Sequence, residues 1–159
     1  MHIHRILGAA VFFLLFAPQL ATAQDTAGVS INPATIERSV DPGEVIETSV
    51  EVRNLSNQEQ TYFVFVRDIV GVRDGNAPEF APEGQERTGF ELSAWVDVAS
   101  EPYTVPVGGS VRIPLTINVP EDATPGSHFG GLFVSIEPPK LRTVGASVGY
   151  EVASIISLK

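Results

Sequence analysis

Val111-Arg112-Ile113-Pro114-Leu115-Thr116-Ile117-Asn118-Val119 alternates apolar and polar side chains, with Pro114 among the polar set. Successive side chains of an extended chain point to opposite faces, so Val111, Ile113, Leu115, Ile117 and Val119 line one face of a half-buried strand. Pro114 has no N–H to give to a ladder, which predicts an edge or a bulge there. The same pattern stands earlier in the chain. Ile46, Thr48, Val50 and Val52 share one face, and Glu47, Ser49, Glu51 and Arg53 the other. Each strand follows a short extended piece and a glycine turn: Ser39-Val40-Asp41-Pro42-Gly43-Glu44 in one case, Thr104-Val105-Pro106-Val107-Gly108-Gly109 in the other. Glycine supplies the positive φ that such turns need. Two copies about 65 residues apart are too few for a solenoid and read as the two corners of a sandwich.

The rest of the chain fits around these strands. Asn54 to Gln58 is a polar turn. Thr61 to Val70 is apolar on both faces in its first half, as in a central strand covered on both sides. Gly71 to Gly89 is looser, with Asp74-Gly75-Asn76, Pro78 and Pro82, and reads as a long loop or ragged edge. Order resumes at Phe90 to Val98. Pro120 to Gly126 is a turn, His128 to Glu137 a strand holding Gly130-Gly131, and Val144 to Leu158 one more strand or two. No segment sustains a 3.6-residue apolar period, although Gly89 to Val96 has room for one helical turn. Seven or so short strands between turns predict an all-β fold, an immunoglobulin-like antiparallel β-sandwich, here without the cysteine pair of true immunoglobulin domains.

The N-terminus predicts the compartment. A basic start (Met1 to Arg5), an apolar run from Ile6 to Ala17 and Ala21-Thr22-Ala23 before Gln24 form the three regions of a cleaved signal peptide. The run is too short to span a bilayer, which takes about 20 residues. Residues 1–23 therefore read as a signal-peptide helix, 24–141 as the sandwich, and 142–159 as its last strand or the start of a truncated second domain. Without Arg5, nine basic residues face 19 acidic ones, a net charge of −10. That opposes binding to nucleic-acid phosphates and to anionic lipid. There is no cysteine, which excludes thiol catalysis, zinc–thiolate sites, iron–sulfur clusters and stabilising disulfides. No cofactor is expected, and no stretch after Ala23 is long enough to span a membrane.

A family resemblance rests on specific residues. They are Ile31-Asn32-Pro33, Asp41-Pro42-Gly43 leading into Val50-Glu51-Val52-Arg53-Asn54, Leu92-Ser93-Ala94-Trp95-Val96, Val107-Gly108-Gly109-Ser110, Val119-Pro120-Glu121-Asp122, Pro125-Gly126 and Gly130-Gly131-Leu132-Phe133-Val134. Over roughly Val29 to Glu137 the chain resembles the N-terminal domain of bacterial WxL-interacting cell-surface proteins. The resemblance implies an immunoglobulin-like sandwich that binds peptidoglycan, a second such domain with surface-protein partners, and a C-terminal anchor. Two features depart from the family. Pro33-Ala34-Thr35 replaces its proline-asparagine-glutamine stretch, and no anchor is present. Ile155 to Lys159 reads as mid-strand, so a second domain and an anchor are expected downstream of Lys159.

Chemistry-bearing residues are sparse. His128 is the one histidine after the signal peptide; its neighbour Ser127 points to the opposite face of a strand, and no G-x-S-x-G elbow exists. Asp74, Asn76 and Glu79 carry oxygens but miss the spacing of a calcium loop. Glu83 and Glu86 lack a scaffold that would fix a glycosidase pair. Asn54-Leu55-Ser56 matches the glycosylation triplet, though the turn itself calls for asparagine. Trp95, Tyr62 and Tyr103 are the candidate ligand-binding residues, since aromatic rings stack on sugars and anchor partners. If Phe90 to Val98 is a strand, Trp95 joins Glu91, Ser93 and Asp97 on the polar face; if 89–94 forms a helical turn, it enters the core. These features predict an exported, non-enzymatic envelope module binding wall glycan or a surface protein. The alternative is a periplasmic chaperone-like assembly factor that lends a strand edge to a client.

Overall fold

The computed structural model describes residues 28–81, 91–138 and 151–159. The signal-peptide residues 1–23, the Glu83 and Glu86 pair, and residues 139–150 lie outside them. Two sheets form the sandwich. The two alternating strands recognised first are direct partners: β3 (Val45–Asn54) lies antiparallel to β8 (Ser110–Asn118), in unbroken register from Val45 opposite Asn118 to Arg53 opposite Ser110. Ile46, Thr48, Val50 and Val52 therefore face the same way as Ile117, Leu115, Ile113 and Val111. With β1 (Val29–Asn32) and β6 (Val96–Val98) outside them, they make the four-stranded sheet β1-β3-β8-β6.

The second sheet runs β2-β10-β9-β4-β5, from β2 (Thr35–Arg38), β10 (Glu151–Leu158), β9 (His128–Ser135), β4 (Gln60–Val72) and β5 (Pro78–Phe80). A short β7 (Tyr103–Val105) pairs with the start of β4. Val50, Val52, Ile113 and Ile117 of the first sheet and Leu132, Val134, Ile156 and Leu158 of the second are all fully buried. Each contributes roughly 1.5–3 kcal/mol by leaving water. Without a disulfide, this apolar layer is what holds the sheets together.

The chain crosses between sheets at its start. β1 pairs antiparallel with β3, and after the cis Asn32–Pro33 peptide β2 pairs parallel with β10. The two glycine corners adopt the geometry their residues predict, with φ of 80° at Gly43 and 67° at Gly108. β6 pairs with Leu115, Thr116 and Ile117 only. Pro114 therefore sits just past the end of β6, where its missing N–H costs no ladder bond on that side.

Three segments are more definite than the sequence reading. Residues 71–81 are more ordered than a loop: β4 continues to Val72 and turns back as β5 through Asp74-Gly75-Asn76, with Gly75 and Asn76 at φ 81° and 63°. Glu79, considered as a calcium ligand, instead pairs with Arg73 at 3.3 Å. Residues 151–158 form an interior strand of the same sandwich, between β9 and β2. The one helical turn is real: α1 (Leu92–Trp95) precedes β6.

Candidate functional site

Trp95 owes its position to that helical turn. Leu92 and Trp95 are three residues apart, so one turn of helix presents both to the same side. Both are buried, Trp95 with 3% of its surface exposed. A strand would have placed Trp95 with Asp97, on the outer face. The turn has no capping side chain of its own. Asp68 of β4 supplies one: its Oδ1 accepts from the Ser93 backbone N–H at 2.8 Å, and its Oδ2 accepts from the Ser93 hydroxyl. The turn sits close on β9 because residue 130 is glycine. A Cβ there would stand 3.0 Å from Leu92 Cδ2 and 3.2 Å from the Arg67 carbonyl.

The Trp95 ring lies against His128, centroids 4.3 Å apart. The Thr124 carbonyl, 2.9 Å from His128 Nε2, can only accept, so this nitrogen carries the proton. Beside the two rings is a cavity of about 250 Å³, lined by Val40, Pro42, Val119, Ala123 and Pro125, with Lys159 at its polar side. It has room for an apolar side chain, and most of its lining is apolar.

The other two candidates lie apart from this cavity. Tyr62, 1% exposed, is a core residue, and its burial pushes the phenol above its ordinary value. Tyr103 is opposite it in the β4–β7 ladder and is partly buried against the core. The structure thus does not gather Trp95, Tyr62 and Tyr103 into one aromatic platform. The Asn54 triplet is closed as a modification site, because the Asn54 side chain is fully buried and bonded to Gln58, Val105 and Ser56.

Sequence reading missed the strand edge that leads to the cavity. Ile155 N–H donates to Ala34 O, Lys159 N–H to Arg38 O, and Val40 N–H to Lys159 O, at 2.9, 3.0 and 2.9 Å. Even-numbered residues thus bond β10, and Thr35 and Glu37 direct their backbone groups away from it. Among the described residues no strand pairs with that edge. It is only four residues long and guarded by charge, as exposed edges usually are. The Arg38 guanidinium reaches the Glu37 carbonyl at 3.4 Å. Lys159 hydrogen-bonds the Glu37 carboxylate and holds it below its usual range. The signal that could have found this edge is Pro33 between two short apolar alternations, which marks the switch of sheet.

Among the described residues no group of three or more histidine and carboxylate side chains is placed to hold a metal ion, and no helix is long and apolar enough to cross a membrane.

No protein-family model and no curated protein matches the sequence. Solved structures do match. The ASH / PapD-like domain 7 of human CEP192 superposes with a TM-score of 0.52 at 15% identity, over 99% of this chain and 96% of that one. The class 5 fimbriae chaperone CfaA gives 0.51 at 17% identity, over 82% of this chain and 55% of that one. A chain of the CsuC–CsuE chaperone–tip adhesion subunit pre-assembly complex from Acinetobacter baumannii gives 0.50 at 15%, over 83% and 56%. At such identities the likeness shows the fold alone: an immunoglobulin-like β-sandwich, similar to that of PapD-like domains. The chain spans just over half the length of the two fimbrial proteins.

Proposed function

We propose that this chain is an exported, non-enzymatic PapD-like module that binds a protein partner by strand addition at the outer edge of β2. The observation that carries the reading is the outward row of backbone groups at Thr35 and Glu37, on a strand that leads to the largely apolar cavity lined by Val40 and Lys159. An added strand gains affinity from main-chain hydrogen bonds, and the cavity would select an apolar residue at one position. The signal-peptide pattern supports export. Likeness to a fimbrial chaperone and to a chain of a chaperone–tip adhesion subunit complex supports a protein partner over wall glycan. Fold alone hosts many functions, so the edge carries the argument.

The test uses Thr35→Pro, which removes one outward N–H and leaves the β10 ladder intact. A photocrosslinker at Glu37, in the host cell, is expected to give a discrete adduct whose mapped partner peptide is an extended segment with an apolar residue. Thr35→Pro should abolish it. Binding of the purified chain to isolated wall polymer, unchanged by Thr35→Pro, would overturn the reading in favour of glycan.

A further inference from the structure

The outer face of the second sheet departs from the rule that sandwich strands turn polar residues outward. Val64 and Val66 of β4 and Leu132 and Val134 of β9 pack in the core. Alternation therefore turns Phe65 and Arg67, and Gly131 and Phe133, to the opposite side. The register sets Phe65 opposite Phe133 and Arg67 opposite Gly131. There the rings cluster. Phe65 stacks on Phe133 at 5.5 Å with 6° between planes, and Phe80 meets Phe133 edge-on at 4.7 Å. Gly131 makes room for them: a Cβ would come within 2.9 Å of both Phe80 Cε1 and Phe133 Cε2. Phe133 is 6% exposed yet lies outside the core, and Phe129, two residues along the same face, is 43% exposed.

A cation sits in this cluster without a counter-ion among the described residues. The Arg67 guanidinium carbon lies 4.6 Å from the Phe133 ring centre, 5.9 Å from Phe80 and 6.0 Å from Phe65. Its Nε is buried with no hydrogen-bond partner. The chain has 19 carboxylates for ten Lys and Arg, yet among the described residues none pairs with Arg67. Aromatic stacking satisfies the flat faces of a guanidinium and leaves the in-plane N–H groups, whose fork matches a carboxylate. Nε is closed to solvent, so an arriving carboxylate meets the guanidinium at its terminal N–H groups, where a charge-assisted hydrogen bond is strong.

We propose that Arg67, framed by Phe65, Phe80 and Phe133, is a docking point for an acidic residue carried on an apolar segment of a partner protein. Charge complementarity names the acid, and the exposed Phe129, two residues from Gly131 on the same face of β9, supplies apolar contact. Arginine and aromatic residues together are the composition of interface hot spots. This surface is separate from the β2 edge and stands or falls without it.

The probes are two peptides, Ac-Ala-Leu-Glu-Leu-Ala-NH2 and the same peptide with glutamine for glutamate, titrated into the purified mature chain. The readouts are the Arg67 Nε–H and the Phe129 and Phe133 ring resonances by NMR. A saturable shift is expected with the glutamate peptide, with at least tenfold weaker response to the glutamine peptide. Arg67→Gln should abolish it. Arg67→Lys, which keeps the charge but not the fork, should retain a weakened response and serves if the glutamine variant does not fold. Equal response to both peptides, no response at millimolar concentration, or a response that survives Arg67→Gln overturns the proposal. A response to an oligogalacturonate, a carboxylated glycan, without one to the glutamate peptide overturns it in favour of a sugar acid.

Discussion

Asn54→Ala should be among the most damaging single substitutions in this domain. Asn54 ends β3, is fully buried, and its side chain clasps two other segments. Its Oδ1 accepts from the Ser56 backbone N–H at 2.9 Å and the Ser56 hydroxyl at 2.7 Å. Its Nδ2 donates to Gln58 O at 2.8 Å and Val105 O at 3.1 Å. Alanine removes all of these. The Gln58 carbonyl keeps a donor in the Ser56 hydroxyl, 2.8 Å away. The Ser56 N–H and the Val105 carbonyl keep none from this set. An orphaned buried polar group costs about 1–3 kcal/mol, so two of them predict a loss of about 2–6 kcal/mol. That is a large share of the 5–15 kcal/mol typical of a domain. Urea unfolding followed by circular dichroism would measure it as a lower midpoint at unchanged slope. Asn54→Asp is the informative partner: it keeps the acceptor but turns a carboxylate on two carbonyls, so it should be at least as damaging at neutral pH and milder in acid. A loss under about 1 kcal/mol for Asn54→Ala would refute the reasoning, because the clasp would then carry no net stability.

Other expectations are as direct. Trp95 is the sole tryptophan and is buried, so native emission should be blue-shifted and poorly quenched by acrylamide; Trp95→Ala should cost about 3–5 kcal/mol in the same urea assay. Burial raises the Tyr62 phenol pKa, so the folded state holds that proton more tightly than the unfolded chain. Its stability contribution is complete below the unfolded phenol's range, near 10, and is lost as pH rises through the raised folded value. Tyr62→Phe should flatten the alkaline fall in urea midpoint above about pH 10. Gly108→Ala meets no atom within 4 Å but must hold φ at 67°, so it should lose roughly 1 kcal/mol through backbone conformation alone. Gly130→Ala should cost more, since it pushes on Leu92 and the backbone of β4; thermal melts of the two variants would rank them.

The sandwich was legible because burial writes its own period into a strand. Ile46 to Val52 and Val111 to Val119 each alternate cleanly, which is the pattern of one face on a core and one in water. The corners were legible because positive φ selects glycine, at Gly43 and Gly108. Local sequence was ambiguous where the deciding contact comes from elsewhere. Phe90 to Val98 reads equally as strand or turn, and a cap from Asp68 together with a seat on Gly130, both distant in sequence, makes it helical before β6. That contact took Trp95 from the surface to the core.

By itself, then, the amino-acid sequence determined an all-β sandwich with two glycine corners, because alternation and backbone conformation are local properties of the chain. Only the tertiary structure decided which strands are neighbours. The β2 edge, the cavity beside Trp95 and the aromatic seat of Arg67 all follow from that. The cavity and the aromatic seat are each made by residues from three or more segments, and pairing across the sheets is set by the packing of the whole core, which no single stretch encodes.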